Sequence, residues 1–306
     1  MKAWTFDDIP DQRGRTAIVT GSSSGIGLET ARMLAAKGAN VILACRNPDK
    51  GNAALSGILA AKPSGTATLM ALDLSDLESV RAFVAEFTSH HDRLDLLINN
   101  AGVMVPPLGR TKQGFELQMG TNHLGHAALV ALLLPLMERT PGARVVVVSS
   151  GVHHVGRIDL DDLNWERRSY SAARGYAQSK LANLLFALEL KRRLASAGSS
   201  VVVTAAHPGW TATELQRTAG IARLFNPLFA MKPADGALPT LRAATDPHAV
   251  SGSYWGPAHF LELNGPPVPA RISSRAKDEV VAARLWDETE RLTGIPCVFE
   301  RAKAAA

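Results

Sequence analysis

Residues 16–27 read "TAIVTGSSSGIG". The first five form a β-branched, apolar run of the kind that makes a buried strand. Glycines follow at positions 21, 25 and 27, and then "LETARMLAAKG" carries a helical period that ends on Gly38, a C-cap signal. The stretch therefore predicts a strand that turns directly into a helix. Gly21, Gly25 and Gly27 present no Cβ at that turn, so a pyrophosphate can approach it. The helix N-terminus behind it offers free N–H groups and a partial positive charge. Ser23, Ser24 and Ile26 complete the loop. The spacing is Gly-x-x-x-Gly-x-Gly rather than the commonest dinucleotide fingerprint, and a tight turn alone would also use glycines. Its position after the first strand favours the phosphate site.

The same alternation continues outward from this point. "NVILA" at 40–44, "ATLMA" at 67–71, "LDLLIN" at 94–99, "RVVVVSS" at 144–150 and "VVVTAA" at 201–206 read as further strands. Helical stretches lie between them. "SDLESVRAFVAEF" opens with a Ser-x-x-Glu capping box at Ser75 and Glu78, and longer helices are expected from about Glu116 to Met137 and from Tyr176 to Ala197. Strands alternating with helices imply parallel pairing through right-handed crossovers, hence an α/β fold with a doubly wound sheet covered on both faces. Continuously apolar strands agree with burial on both sides.

Beyond residue 207 the pattern loosens, with Pro208, Pro227, Pro233, Pro239 and Pro247 punctuating short helical pieces. A final helix, "SSRAKDEVVAARLWDETERLTG", places Val280, Ala283, Leu285 and Trp286 towards one side. One domain over 1–306 is expected, with a core at 14–206 and a C-terminal section at 207–306 that holds a lid, a last strand and this helix.

Composition narrows the function classes. The 306 residues are 46% hydrophobic and 20% charged, enough for a large core. Cys45 and Cys297 are the only cysteines, which gives no disulfide framework and fits a reducing cytoplasm. The net charge of +5 comes without a basic stripe or interleaved aromatics, so no nucleic-acid partner is expected; an anionic small ligand suits it better. "MKAWTFDDIPDQRGR" reads as neither signal peptide nor anchor, and the longest apolar run, 127–137, is too short to span a bilayer.

The end of the second strand bears on which nucleotide fits. A carboxylate there would bind a free ribose 2′-hydroxyl, whereas an arginine would hold a 2′-phosphate. The sequence reads "LACRNPDK", with Arg46 at the critical place and Asp49 well past it. This favours NADP(H) over NAD(H), against the plain reading of Arg46 as a solvated surface residue.

With these features in place, the sequence resembles the short-chain dehydrogenase/reductase family over roughly residues 14–260. The motifs run in that family's order: "TGSSSGIG" at 20–27, "LDL" at 72–74, "NNAG" at 99–102, "NHLGH" at 122–126, "VSS" at 148–150, "YAQSK" at 176–180 and "HPGW" at 207–210. "ACRN", "TNHLGHAAL", "SSGVHH", "YAQSKLANLLFALEL" and "GSYWGPAHFLELNGPP" are similar to the retinol dehydrogenase-like and protochlorophyllide reductase-like branch. The opening residues do not resemble the hydrophobic N-terminal segment of the membrane-bound retinol enzymes, a departure that weighs against a retinoid substrate and leaves the expected fold and cofactor untouched. The resemblance implies a Rossmann-like fold, with Asp73 and Leu74 at the adenine and Asn99, Ala101 and Gly102 beside its ribose. It implies Pro208, Gly209, Thr211 and Thr213 over the nicotinamide, and Asn122, Ser150, Tyr176 and Lys180 as a catalytic tetrad. A homodimer or homotetramer built on the helices at 116–137 and 176–197 is also in the family's manner.

Elementary chemistry supports such roles. Tyr176 and Lys180 are i and i+4, so they share a helix face. A free tyrosine has a pKa near ~10; a fixed ammonium and an oxidised nicotinamide nearby would favour its phenolate. Tyr176 could then take an alcohol's proton or give one to a carbonyl oxygen, while Lys180 binds the ribose. Ser150, read as ending the fifth strand, could hydrogen-bond the substrate oxygen, although a one-residue shift would put Ser149 in its place. Asn122 could hold a water through its amide. The insertion "GVHHVGRIDLDDLNWERRSYSAARG" between Ser150 and Tyr176 must loop out, and His153 and His154 could line the substrate mouth.

His123, His126, His153 and His154 have no clustered carboxylates or thiolates, so no metal is expected. "GIARLFNPLFAMKP" at 220–233 reads as a lid over an apolar substrate, or as a short helix packed on the core. The expected activity is interconversion of a carbonyl and an alcohol on an apolar small molecule. The alternatives on the same fold are a non-redox epimerase or dehydratase, and a catalytically silent nucleotide sensor.

Overall fold

A computed structural model describes residues 3–211 and 231–299. Eight strands form one sheet: β1 (Thr16–Thr20), β2 (Asn40–Cys45), β3 (Thr66–Ala71), β4 (Leu96–Asn99), β5 (Arg144–Val148), β6 (Val202–Ala206), β7 (Tyr254–His259) and β8 (Asn264–Pro269). Their spatial order is β3-β2-β1-β4-β5-β6-β7-β8, with every pairing parallel except β7 with β8. The chain winds outward one way from β1 and the other way from β4. The crevice between the carboxyl ends of β1 and β4 is thus the topological switch point, where open α/β sheets bind ligands.

Alternation along the strands divides the core in two. Ile18 and Ile42 enter one hydrophobic cluster, Ala17, Val19, Val41 and Leu43 the other. The first is covered by α3 (Leu77–His90), α5 (Gly125–Glu138) and α6 (Ala172–Ala197). The second is covered by α1 (Gly25–Ala36), α2 (Pro48–Ala60) and α7 (Pro233–Thr245). Burial on both faces explains why the central strands read as unbroken apolar runs.

Several boundaries differ from the sequence expectation. The N-cap of α3 is Asp76, which accepts from Glu78 N at 3.0 Å, and not Ser75. Ser75 instead donates its hydroxyl to Asp73 Oδ1 at 2.6 Å. The long helix expected from Glu116 is interrupted: a single turn α4 (Leu117–Met119) passes into a π-helical turn over Gly120–Leu124 before α5 begins. The next helix, α6, starts at Ala172, four residues before Tyr176, with Ser171 as its cap. In α8 (Glu279–Thr293) the buried face is Ala282, Leu285, Trp286 and Thr289, and Val280 faces solvent at 71% exposure. The C-terminal section supplies two strands rather than one. β8, "NGPPVP", lies at the sheet edge, where prolines cost no ladder hydrogen bond on the outer side. Pro233 and Pro239 do not break the chain into pieces; they sit at the first turn and in the interior of α7.

Candidate active site

The crevice at the switch point is a cleft of about 310 Å³. Gly21, Ser24, Gly25, Ile26 and Gly27 line it from the β1–α1 turn, and Ala101 and Gly102 from the loop after β4. Ser150, Tyr176, Lys180, Pro208, Gly209 and Thr211 close the far end. Residues drawn from five of the seven motifs therefore meet in one place.

The glycine turn is built to press on the β4 loop. Gly21 has φ of +66°, and a Cβ there would stand 2.8 Å from Ala101 Cα. A Cβ on Gly27 would stand 2.5 Å from Asn100 Nδ2 and from Gly21 O. Side chains at these two positions would collide with the β4 loop and with the turn itself, so glycine is what lets the turn close over the N-terminus of α1, where a dinucleotide's phosphates could approach. Thr20 holds the opposite wall, accepting from Asn100 N and Ala101 N at 2.9 Å each. Asn99 is buried, and neither its amide oxygen nor its nitrogen has a hydrogen-bond partner among the described residues. An orphaned amide at the switch point is what a cofactor-binding crevice leaves behind when only the protein's own groups are counted.

At the catalytic end, β5 stops at Val148, two residues short of Ser150. Ser150 caps a 3₁₀ turn, Gly151–His154, and stands beside Tyr176 in the cleft, close enough for its hydroxyl to hold the phenol's pKa down. Ser149 is buried and donates to Lys180 O at 2.7 Å. That resolves the choice between the two serines: only Ser150 presents its hydroxyl to the tyrosine. Burial raises Tyr176 to about 12, and the Ser150 hydrogen bond works against that rise. The protein's own groups thus keep the phenol protonated; the lowering expected from Lys180 together with an oxidised nicotinamide concerns the cofactor-bound site. Lys180 Nζ lies 5.8 Å from the centre of the tyrosine ring and donates to Val148 O at 3.2 Å. Burial pushes its ammonium down to about 8.

Asn122 stands one layer back, in the π-helical turn. Its Oδ1 accepts from Val103 N at 2.8 Å, and its Nδ2 donates to Val103 O at 3.0 Å and to Ser179 Oγ at 2.9 Å. Both amide hydrogens are therefore committed to bracing the loop after β4 against α6, which leaves them none to give a water. Gln118, one helical turn earlier, repeats the device: Oε1 accepts from Val105 N, and Nε2 donates to Tyr170 Oη and Ala172 O, each at 2.9 Å. Val105, a β-branched residue with φ of +53°, lines the cleft in a conformation this clamp imposes. Gln118 was missed from the sequence, although its i, i+4 spacing to Asn122 was there to be read. Met104, Val152, Ala173 and Trp210 are further lining residues outside the expected set.

Other expected residues are placed elsewhere. Arg46 is exposed just beyond β2, and Ser23 lies on the loop without lining the cleft. Asp73 is half-buried and bonded to Ser75, whereas Leu74 is 6% exposed and belongs to the core. Thr213 and residues 220–230 of the expected lid lie outside the described residues. His153 does not line a mouth: it is fully buried, with Nδ1 2.8 Å from Ser150 O and Nε2 accepting from Ser273 N at 3.3 Å. His123 joins Thr289 at 2.9 Å, tying α5's approach to α8. Among the described residues, no three His, Cys, Asp or Glu side chains cluster as metal ligands, and no helix is long and apolar enough to cross a membrane.

Residues 15–223 match the short chain dehydrogenase family, and the chain belongs to it. It is therefore an oxidoreductase whose fold binds NAD or NADP. Within that family it falls in the retinol dehydrogenase-like branch. Human retinol dehydrogenase 13 is 42% identical over 301 residues, covering 94% of this chain and 88% of that protein. Mouse retinol dehydrogenase 11 is 41% identical, covering 92% and 87%. An uncharacterised protein from Mycobacterium paratuberculosis has a crystal structure that superposes with a TM-score of 0.82 at 43% identity, over 97% of this chain and 100% of that one. A short chain dehydrogenase from Shigella flexneri, solved in complex with NADP, superposes with a TM-score of 0.65 at 26% identity, over 81% and 98%.

Proposed function

We propose that this chain interconverts a carbonyl and an alcohol on an apolar small molecule with NADP(H), Tyr176 serving as general acid and base. The observation that carries the reading is the meeting of Ser150, Tyr176 and Lys180 in one cleft with the glycine cradle, Lys180 lying one turn beyond Tyr176 on the same helix.

The residues of the cradle fit a dinucleotide. Backbone N–H groups at Gly25, Ile26 and Gly27 face its phosphates, and Arg46, exposed and without an ion pair among the described residues, is free to meet a 2′-phosphate. The nicotinamide, when bound, supplies or accepts the hydride. The rest falls to side chains. Ser150 donates to the substrate oxygen as negative charge develops there, and Tyr176, protonated at neutral pH, delivers the proton. In the oxidative direction the base is the Tyr176 phenolate, which burial opposes and which the positive charges of Lys180 and of the oxidised nicotinamide would have to favour. Lys180 holds the ribose and adds positive charge beside the phenol. Met104, Val105, Val152 and Trp210 give the substrate end an apolar lining that excludes water.

The test is Tyr176→Phe. Turnover of aldehydes followed by NADPH absorbance should fall by roughly 10³-fold or more, with cofactor affinity within a few-fold of wild type. Retention of activity in that variant sinks the assignment.

A further inference from the structure

The insertion between Ser150 and Tyr176 builds a second concavity that the reaction described above does not use. It is a groove of about 610 Å³ lined by Val155, Arg157, Trp165, Arg168, Ala173 and Arg174. Its floor is rigid. Arg168 stacks on the Trp165 ring at 3.8 Å and is fixed by Asp159 Oδ2 at 3.2 Å, Asp162 O at 3.0 Å and Gln178 Oε1 at 2.7 Å. Asp162 also accepts the backbone N–H groups of Glu166 and Arg168, at 2.6 and 3.2 Å. Trp165 is 4% exposed, is held at φ of +58°, and has an indole N–H without a partner among the described residues. A loop that only spanned the distance would carry neither the strain nor the orphaned donor.

The rim differs from the floor. Arg157 and Arg174 are exposed, and neither guanidinium makes a hydrogen bond or ion pair among the described residues. Val155 beside them is 72% exposed. Two uncommitted guanidiniums over a trough of mixed lining, with Val155, Ala173 and Ala177 as its apolar part, suit a carboxylate carried on a hydrocarbon chain.

The groove also adjoins the catalytic cleft. Ala173 lines both. On α6, Ala173, Tyr176 and Lys180 turn to the cleft while Ala173, Arg174 and Ala177 turn to the groove, adjacent faces of one helix. The path over the helix from one to the other is about one helix diameter, ~10 Å.

We propose that the groove binds the carboxylate end of an amphipathic substrate whose carbonyl meets Ser150 and Tyr176. The substrate class is then an apolar chain with a carboxylate ~10 Å from the reacting carbon, an oxo or hydroxy fatty acid in chemical terms. This rests on the carbonyl–alcohol reading above, and the test separates the two.

The probe is an ω-oxo carboxylic acid of that span, compared with its methyl ester, both turned over with NADPH. The acid should show a kcat/KM about tenfold or more above the ester, the scale of one charge-assisted contact at an exposed site. In Arg157→Ala/Arg174→Ala that ratio should fall to about one. Equal kcat/KM for acid and ester in the wild type, or a preference that survives the double variant, overturns the proposal. Calorimetric titration with the α,ω-dicarboxylate of the same length, which has no reducible carbonyl, reads the groove alone. Binding that is lost in the double variant supports the groove even where no carbonyl turns over. Absence of binding together with turnover of neutral aldehydes overturns the groove and leaves the reductase reading standing.

Discussion

The Thr20 hydroxyl lies 2.8 Å from Nε2 of His126, and this contact joins the cofactor loop to the catalytic layer. Thr20 Oγ already accepts from Asn100 N and Ala101 N, and its one hydrogen has two acceptors in reach, Nε2 at 2.8 Å and Ile98 O at 3.3 Å, of which the imidazole is the nearer. His126 Nδ1 lies 3.0 Å from Asn122 O, a carbonyl that can only accept. The ring is therefore neutral, with its proton on Nδ1. Burial, above all, pushes its pKa down to about 3, in agreement with that tautomer. His126→Leu should destabilise the fold by roughly 1–3 kcal/mol, because it removes the donor to the buried Asn122 carbonyl and leaves the Thr20 hydroxyl only the longer contact to Ile98 O. It should also weaken dinucleotide binding through the Asn100–Ala101 loop. His126→Gln, which keeps a donor and an acceptor, should recover much of both. Urea denaturation and cofactor titration of the two variants check this, and a Leu variant as stable as wild type contradicts it.

His123 and His153 share this buried, neutral state, each held at about 4 mainly by burial. A histidine whose folded pKa is depressed contributes stability that is complete above its unfolded value near ~6.5 and is lost as pH falls towards the folded value. With His126 included, three such groups oppose folding below that point. The urea midpoint should be flat between about pH 7 and 8 and should drop on acidification, by on the order of 1–2 kcal/mol per histidine by pH 5. A midpoint that holds steady down to pH 5 would show that these rings are not buried as described.

Much of this arrangement was legible in the sequence because it is local. Buried parallel strands are continuous apolar runs, so β1 to β6 and the winding of the sheet followed from pattern alone. That Tyr176 and Lys180 share a helix face followed from their spacing and their expected roles from the family resemblance, and the glycine cradle followed from its place after the first strand. What pattern could not reach is settled by contacts far apart in the chain. Ser75 loses the cap of α3 because Asp73 has taken its hydroxyl. β8 is a strand despite its prolines because it sits at the edge. Leu74 follows a motif residue yet packs in the core, and Val280 faces solvent because α8 begins one residue before it. Thr20 and His126 are 106 positions apart, and no spacing rule connects them.

Lys180, the residue proposed to hold the ribose, burdens the fold. Its ammonium is buried and its pKa is lowered to about 8 from 10.5. A group whose folded pKa is depressed contributes stability present above its unfolded value and lost as pH falls through its folded value. Here that window runs from about 10.5 down to about 8. At neutral pH the buried charge is therefore a net liability. Lys180→Met should abolish turnover yet raise the stability of the cofactor-free protein at pH 7 by on the order of 1–3 kcal/mol, and the gain should shrink at pH 10. Val148 O, which Lys180 also engages, keeps a partner in Asn183 Nδ2 at 3.2 Å. Thermal melts of wild type and variant at the two pH values give the sign directly. A variant less stable than wild type at pH 7 contradicts the reading.

Cofactor preference should turn on Arg46. It follows β2 immediately, and Ala44, two residues earlier, accepts from Gly21 N at 2.9 Å, so the end of β2 is fastened to the glycine turn. Anything bound in the cradle therefore has Arg46 within the reach of its long side chain, while the nearest downstream carboxylate, Asp49, is already in the first turn of α2. An exposed guanidinium facing a dianionic 2′-phosphate is worth roughly 1.5–3 kcal/mol, or about 10- to 100-fold in affinity. Arg46→Ala should raise the KM for NADPH by that factor and leave the KM for NADH nearly unchanged, because NADH carries no phosphate there. Arg46→Asp should go further, repelling the phosphate and offering the free ribose hydroxyl an acceptor, so that the ratio of kcat/KM for the two cofactors inverts. The contribution is screened by salt, and the NADPH preference of the wild type should decline as ionic strength rises from about 50 to 500 mM. Steady-state kinetics with both cofactors at two salt concentrations separates these effects. Equal losses for NADPH and NADH in Arg46→Ala would mean that the side chain only supports the loop.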